Sequence, residues 1–130
     1  VDRPDPGAVA SLFTSGGRLV VAADPTSPDS VVIRRGPAEI EKAMSSLRRY
    51  VATSHIVGAH RGEIEGNSAR GETTCVAYQL SDEPGEPKMM VLGIRYVDTY
   101  ERTVDGWRFD ERQVRVKWRD ERIWNRSDVP

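Results

Sequence analysis

After Tyr50 the hydrophobic pattern of this chain changes from a helical period to alternation, and it stays alternating almost to the end. Nothing else in the sequence restricts the fold as much. Four segments, Thr53–Glu65, Ser68–Leu80, Met89–Thr103 and Trp107–Arg119, read as strands with side chains alternating between two faces. The connections are EGNS, then the looser SDEPGEPK, then a turn at Val104-Asp105-Gly106. Long strands joined this way pair antiparallel with their sequence neighbours. A sheet with one apolar face then needs a cover.

The cover comes from the first fifty residues. Asp5-Pro6 ahead of GAVASLF supplies an N-cap aspartate and a proline at the first helical position, with Val9, Leu12 and Phe13 on one face. Gly16-Gly17 ends that segment, RLVVAA reads as a strand, Asp24–Ser30 is turn chemistry, and VVIRR is a short strand. Gly36-Pro37 opens a second helix, in which Ile40, Ala43, Met44 and Leu47 recur at helical spacing. Glu39 and Glu41 lie near its start and Arg48 and Arg49 near its end, as the helix dipole favours. Helices followed by long antiparallel strands indicate an α+β fold, with the helices covering one face of a curved sheet. In the last strand Trp107 and Phe109 have one parity, whereas Val114, Val116 and Trp118 have the other. A β-bulge near Glu111–Gln113 reconciles them, and bulges curve a sheet around a cavity.

At 130 residues the chain fits one domain spanning 1–130. Nineteen Lys and Arg against twenty Asp and Glu leave a net charge of -1, which argues against nucleic-acid binding. The arginine-rich stretch ERTVDGWRFDERQVRVKWRDER is interleaved with acids and reads as a solvated mixed-charge face. The single cysteine, Cys75, excludes an internal disulfide, is compatible with a cytoplasmic location, and reads as a small core residue. No apolar run reaches membrane-spanning length and no signal-peptide pattern is visible, so no membrane partner is expected. The chain opens on Val1 rather than Met, which leaves room for residues upstream.

Both histidines lie in TSHIVGAH, five positions apart. On an unbroken strand such residues point to opposite faces, so His55 and His60 do not share a metal unless a bulge intervenes. No further His, Cys or carboxylate cluster completes a zinc ligand set, and no metal or other cofactor is expected. His55 shares its face with Val57 and Ala59, and His60 with Gly58 and Gly62. His55 is therefore expected to point inward, as an acid–base group or a structural histidine, and His60 to point away.

The stretches VDRPDPGAVASLFTSGGRLVV, GPAEIEKAM, TSHIVGAHRGEIEGNSARGETTCVAY and GIRYVDTYERTVDGWRFDERQV together resemble the SnoaL-like family, the cone-shaped α+β group of polyketide cyclases, scytalone dehydratase and ketosteroid isomerase. The resemblance runs from Asp2 to about Trp118, and most of the family's first helix is absent before Val1. It implies a curved antiparallel sheet wrapped around N-terminal helices, forming a cone with an internal pocket. In the dehydratase branch an aspartate faces a histidine across that pocket; Asp2 and His55 stand at the similar positions. The carboxylate would orient the imidazole and the imidazole would move a proton. The second histidine of scytalone dehydratase is replaced here by Tyr78, a possible hydrogen-bond donor but not a base at neutral pH.

Three other residues are candidate substrate contacts. Tyr50 either lines the pocket or packs against the sheet. Arg95, between Gly93 and Val97 on one face, either meets an anionic or carbonyl group or pairs with a carboxylate such as Glu111 or Asp2. Trp118 is a pocket or interface residue, and Trp107 beside Gly106 is a hairpin anchor. Two functions follow. One is a cofactor-independent lyase, cyclase or isomerase acting by His–Asp acid–base chemistry on a small hydrophobic oxygenated ring compound. The other is a non-catalytic ligand-binding or assembly module of the same fold. A homodimer is expected on either, because Val114, Val116 and Trp118 would otherwise leave an apolar sheet face bare.

Overall fold

The computed structural model describes residues 2–83 and 86–125. Its elements in chain order are α1 (Pro6–Ala10), β1 (Phe13–Ala22), β2 (Val32–Arg35), α2 (Gly36–Ser45) with a 3-10 turn at Ser46–Arg49, β3 (Ala52–Glu65), β4 (Ser68–Glu83), β5 (Glu86–Thr103) and β6 (Gly106–Ile123). The six strands form one sheet in the order β2-β1-β6-β5-β4-β3. Four seams are antiparallel, but β1 runs parallel to β6, so the sheet is mixed rather than wholly antiparallel. The α+β architecture is as expected: a curved sheet with its helices gathered over one face.

Two boundaries differ from the sequence reading. The first helix stops at Ala10, and Phe13 starts a strand. Pro6, Gly7 and Val9 give so short a helix little intrinsic stability, whereas Phe13 gains a partner in Phe109, and the Phe109 N–H donates to the Leu12 carbonyl at 2.8 Å. Gly17 accordingly is not a helix stop. It sits within β1 where the register against β6 shifts, and a Cβ there would lie 3.0 Å from the Thr14 carbonyl and 3.1 Å from that of Phe109. Second, the SDEPGEPK segment is mostly ladder: β4 and β5 stay paired out to Glu83 and Glu86, and only 84–85 lie outside the described residues. Once two strands are in register, each further pair adds hydrogen bonds without a new loop to close.

The core lies on the concave face in two joined clusters. Ile40 of α2 is 0% exposed and packs with Ala10, Phe13 and Leu19. Burying such a side chain contributes about 1.5–3 kcal/mol. Cys75, Ala77, Leu92, Ile94 and Val116 form the other cluster, and Val114 touches both.

Three bulges decide which residues join that face. In β6 the register against β5 slips at Asp110 and again at Lys117. The first slip lies one residue before the expected bulge; it brings Phe109, Arg112, Val114 and Val116 to the concave side. The second returns Trp118 to the convex side, so Val114, Val116 and Trp118 do not share a face. Trp118 lies over Gly93, where a Cβ would come within 2.0 Å of the indole. In β3, Gly58 and Ala59 stand opposite the single residue Thr74. That bulge changes the fate of His60.

Candidate active site

The edge strand β3 holds the first side chains of the site. Thr53 and His55 face Gln79 and Ala77 across the ladder, which puts both on the concave side with the core. The chain before α1 runs along the free edge of β3, where the Asp2 N–H donates to the Thr53 carbonyl at 2.7 Å. From there the Asp2 carboxylate accepts from Thr53 Oγ1 at 3.0 Å, from the His55 N–H at 3.3 Å, and from His55 Nδ1 in a short contact. Burial alone would raise the Asp2 carboxyl; the bonds from His55 and Thr53 outweigh it and hold the group below its ordinary value of 3.8. Among the described residues nothing bonds to His55 Nε2. The arrangement is an imidazole tethered at one nitrogen and free at the other.

His60 is not where an unbroken strand would put it. Because Gly58 and Ala59 share one partner, the parity of β3 shifts by one, and His60 faces Thr73 on the same concave side as His55. Its Nδ1 lies 2.7 Å from Thr73 Oγ1. Both histidines therefore share a face. Even so, no group of three or more His, Cys, Asp or Glu side chains among the described residues is arranged to hold a metal ion.

The other expected site residues do not gather at the dyad. Tyr78 pairs with Ser54, one position out of phase with His55, and so lies on the convex face. It supplies no hydrogen bond to a group held by His55. Arg95 is also convex and binds Glu72, which holds that carboxyl below its usual value. Neither Glu111 nor Asp2 is its partner: Glu111 bonds Arg18 at 2.9 Å. Trp118 is convex and 49% exposed, a surface residue rather than a pocket wall. Tyr50 ends the 3-10 turn, with Arg49 over its ring and its hydroxyl accepting from Arg49 Nη2 at 2.8 Å. Trp107 anchors the last hairpin as expected, under Arg102.

The concave face holds a charge pair, one member of which, Arg112, lies in the stretch that the sequence reading assigned to a solvated face. Asp98 is 1% exposed and receives Arg112 Nε at 2.9 Å and Nη2 at 3.0 Å, with the Tyr100 hydroxyl at 3.2 Å. The guanidinium lies 3.9 Å from the Tyr96 ring centroid and 4.5 Å from that of Phe109. Burial pushes the Tyr96 phenol far up and the Tyr100 phenol to about 12, so both stay protonated donors. Tyr96, Asp98 and Tyr100 alternate along β5, so an acid with core-facing parity was a readable signal. Arg112 was hidden because the Asp110 bulge changes its parity.

A cleft of about 1020 Å³ lies away from the dyad. Much of its lining comes from a row across the convex side, Glu63, Arg70, Thr99, Glu111 and Arg18, at the opposite end of the sheet from Asp2. Four of its charged groups are already in ion pairs, Arg18 with Glu111 and Arg70 with Glu63.

The family model for the SnoaL-like domain matches residues 1–113. The chain belongs to the SnoaL-like domain family. No curated protein matches this SnoaL-like chain in sequence. Solved structures share its fold at low identity. A hexachlorocyclohexane dehydrochlorinase from Novosphingobium barchaimii is 16% identical with a TM-score of 0.76, covering 96% of this chain and 82% of its own. A candidate scytalone dehydratase from Novosphingobium aromaticivorans is 18% identical with a TM-score of 0.73, covering 88% and 72%. A candidate aromatic ring hydroxylase from the same organism is 16% identical with a TM-score of 0.74, covering 88% and 76%. Three differently named activities on one fold leave the chemistry to be argued from the side chains.

Proposed function

We propose that this SnoaL-like protein is a cofactor-independent lyase, cyclase or isomerase that moves a proton on a small hydrophobic, oxygenated ring compound. The observation that carries the reading is the bond between His55 Nδ1 and the Asp2 carboxylate on the concave face. A carboxylate at Nδ1 favours the tautomer with its proton there, which leaves the Nε2 lone pair to accept one from substrate. Asp2 stays ionised at neutral pH and stabilises the imidazolium that forms. That imidazolium then returns the proton to a leaving hydroxyl, to the alkoxide formed on ring closure, or to a different carbon. These three outcomes are elimination, cyclisation and isomerisation. The dehydratase and dehydrochlorinase names among the structural relatives both denote eliminations. The apolar cluster of Leu92, Ile94 and Val116 on the same face suits a ring compound.

The test needs no natural substrate. Exchange of the acidic ring hydrogens of 2-tetralone for deuterium, followed by NMR, reports a base acting next to a carbonyl. The wild type is expected to accelerate exchange about 10²–10⁴-fold over buffer. His55→Gln is expected to return it to background, and Asp2→Asn to fall between. Exchange that is as fast in His55→Gln as in the wild type would sink the reading. A wild type that binds 2-tetralone without accelerating exchange would favour the non-catalytic binding module.

The proposal includes a homodimer through the convex face. What supports it is the row Ile56, Val76, Gly93 and Trp118, in register across β3 to β6, with Ile56 and Trp118 both exposed.

A further inference from the structure

We infer that His60 is a second, specificity-determining contact on the same concave face, one that binds a distal polar group of an elongated ligand; this rests on the concave face at His55 being the ligand site. Its position is specified by the local sequence. Gly58 allows the bulge, since a Cβ there would lie 2.7 Å from Thr74 Oγ1. Past the bulge, the paired glycines Gly62 and Gly71 leave a shelf without Cβ atoms, and the imidazole lies on it. A Cβ on Gly62 would be 3.2 Å from His60 Nε2, and one on Gly71 would be 3.0 Å from Cε1 and 3.3 Å from the Tyr100 ring. Thr73, itself buried, holds Nδ1. The ring is therefore oriented at one nitrogen, as in the dyad, while Nε2 has no partner among the described residues.

The spacing separates the two roles. His55 faces Ala77 and His60 faces Thr73, four residues apart on β4, or about 13 Å at roughly 3.3 Å per residue. No single bond-breaking step reaches both rings, so His60 is not a second acid–base group at the reacting atoms. A ligand bonded to both, with a hydrogen bond of about 2.9 Å at each end, would carry polar atoms about 7–13 Å apart. Val57 and Cys75 lie between the two histidines on this face, so the middle of that ligand meets apolar surface. The class is a rigid, flat, mainly apolar molecule of two or more rings with oxygen at both ends.

The probes are 2,6-dihydroxynaphthalene, which has a hydroxyl at each end, and 2-naphthol, which lacks the second. Binding to the full chain is followed through the ring signals of the two histidines in nitrogen-edited NMR. The wild type is expected to prefer the dihydroxy compound about 3–10-fold, the worth of one hydrogen bond, with both ring signals moving. His60→Leu is expected to abolish the preference but still to bind 2-naphthol, which also reports that the variant is folded. Thr73→Val, which frees the ring without changing its shape, is expected to reduce the preference. Equal affinities in the wild type, with only the His55 signal moving, would overturn the inference and leave the dyad reading standing. Binding that moves His60 but not His55, or no binding of either compound, would overturn both.

Discussion

Removing the Asp98 carboxylate should be the most damaging single polar change in this protein. Asp98 is essentially inaccessible and accepts two bonds from Arg112 and one from Tyr100. In Asp98→Ala the Arg112 guanidinium keeps its charge but loses its counter-charge. Breaking a buried pair in this way costs about 3–5 kcal/mol. Two features of Arg112 favour the lower end of that range. Its side chain is still 25% exposed, so water recovers part of the loss, and the Tyr96 and Phe109 rings continue to hold the cation. The expected cost is therefore about 3 kcal/mol, or a fall in melting temperature of about 10 °C at roughly 3 °C per kcal/mol for a chain of this size. Urea unfolding of the wild type, Asp98→Ala, Arg112→Met and the double variant makes the measurement. The double variant should cost less than the sum of the singles by about 1–3 kcal/mol, because it removes the orphaned charge along with the pair. A cost below about 1 kcal/mol for Asp98→Ala, or strictly additive singles, would show that the pair is solvated after all.

The Asp2 carboxyl is lowered on folding, so its contacts stabilise the native state above the ordinary value of 3.8 and are lost as pH falls through the folded value. Urea midpoints at pH 5 and pH 3 should accordingly differ less in Asp2→Asn than in the wild type; equal acid sensitivity would remove the dyad from the stability balance. Gly93→Val must displace the Trp118 indole, with a Cβ at 2.0 Å from it. The expected result is a red-shifted, more readily quenched tryptophan emission, and an unchanged spectrum would contradict the stacking. Light scattering at micromolar concentration should give a dimer mass for the wild type and a monomer mass for Trp118→Glu. A monomeric wild type would refute the convex-face interface.

Periodicity alone determined the outline of this fold. A shift from helical spacing to alternation at Tyr50, with a Gly-Pro start to α2, is local information, because the chain's own sterics and the burial of one face set both periods. The pairing of Asp2 with His55 was legible only through the family resemblance, since nothing in the spacing of residues 2 and 55 brings them together. The faces presented by His60, Arg112 and Trp118 were not legible. Each lies beyond a bulge, and one extra residue in a strand exchanges inside and outside for all that follow it. Whether a strand bulges at Gly58–Ala59, Asp110 or Lys117 depends on what the neighbouring strand presents. Thr74 stands beside Gly58, and Phe109 and Trp118 each settle against a partner on another strand. The sequence by itself determined where the main strands lie, though not where each begins and ends. Only the tertiary packing decided which way they point, because a strand's register is a property of the pair and not of either strand alone.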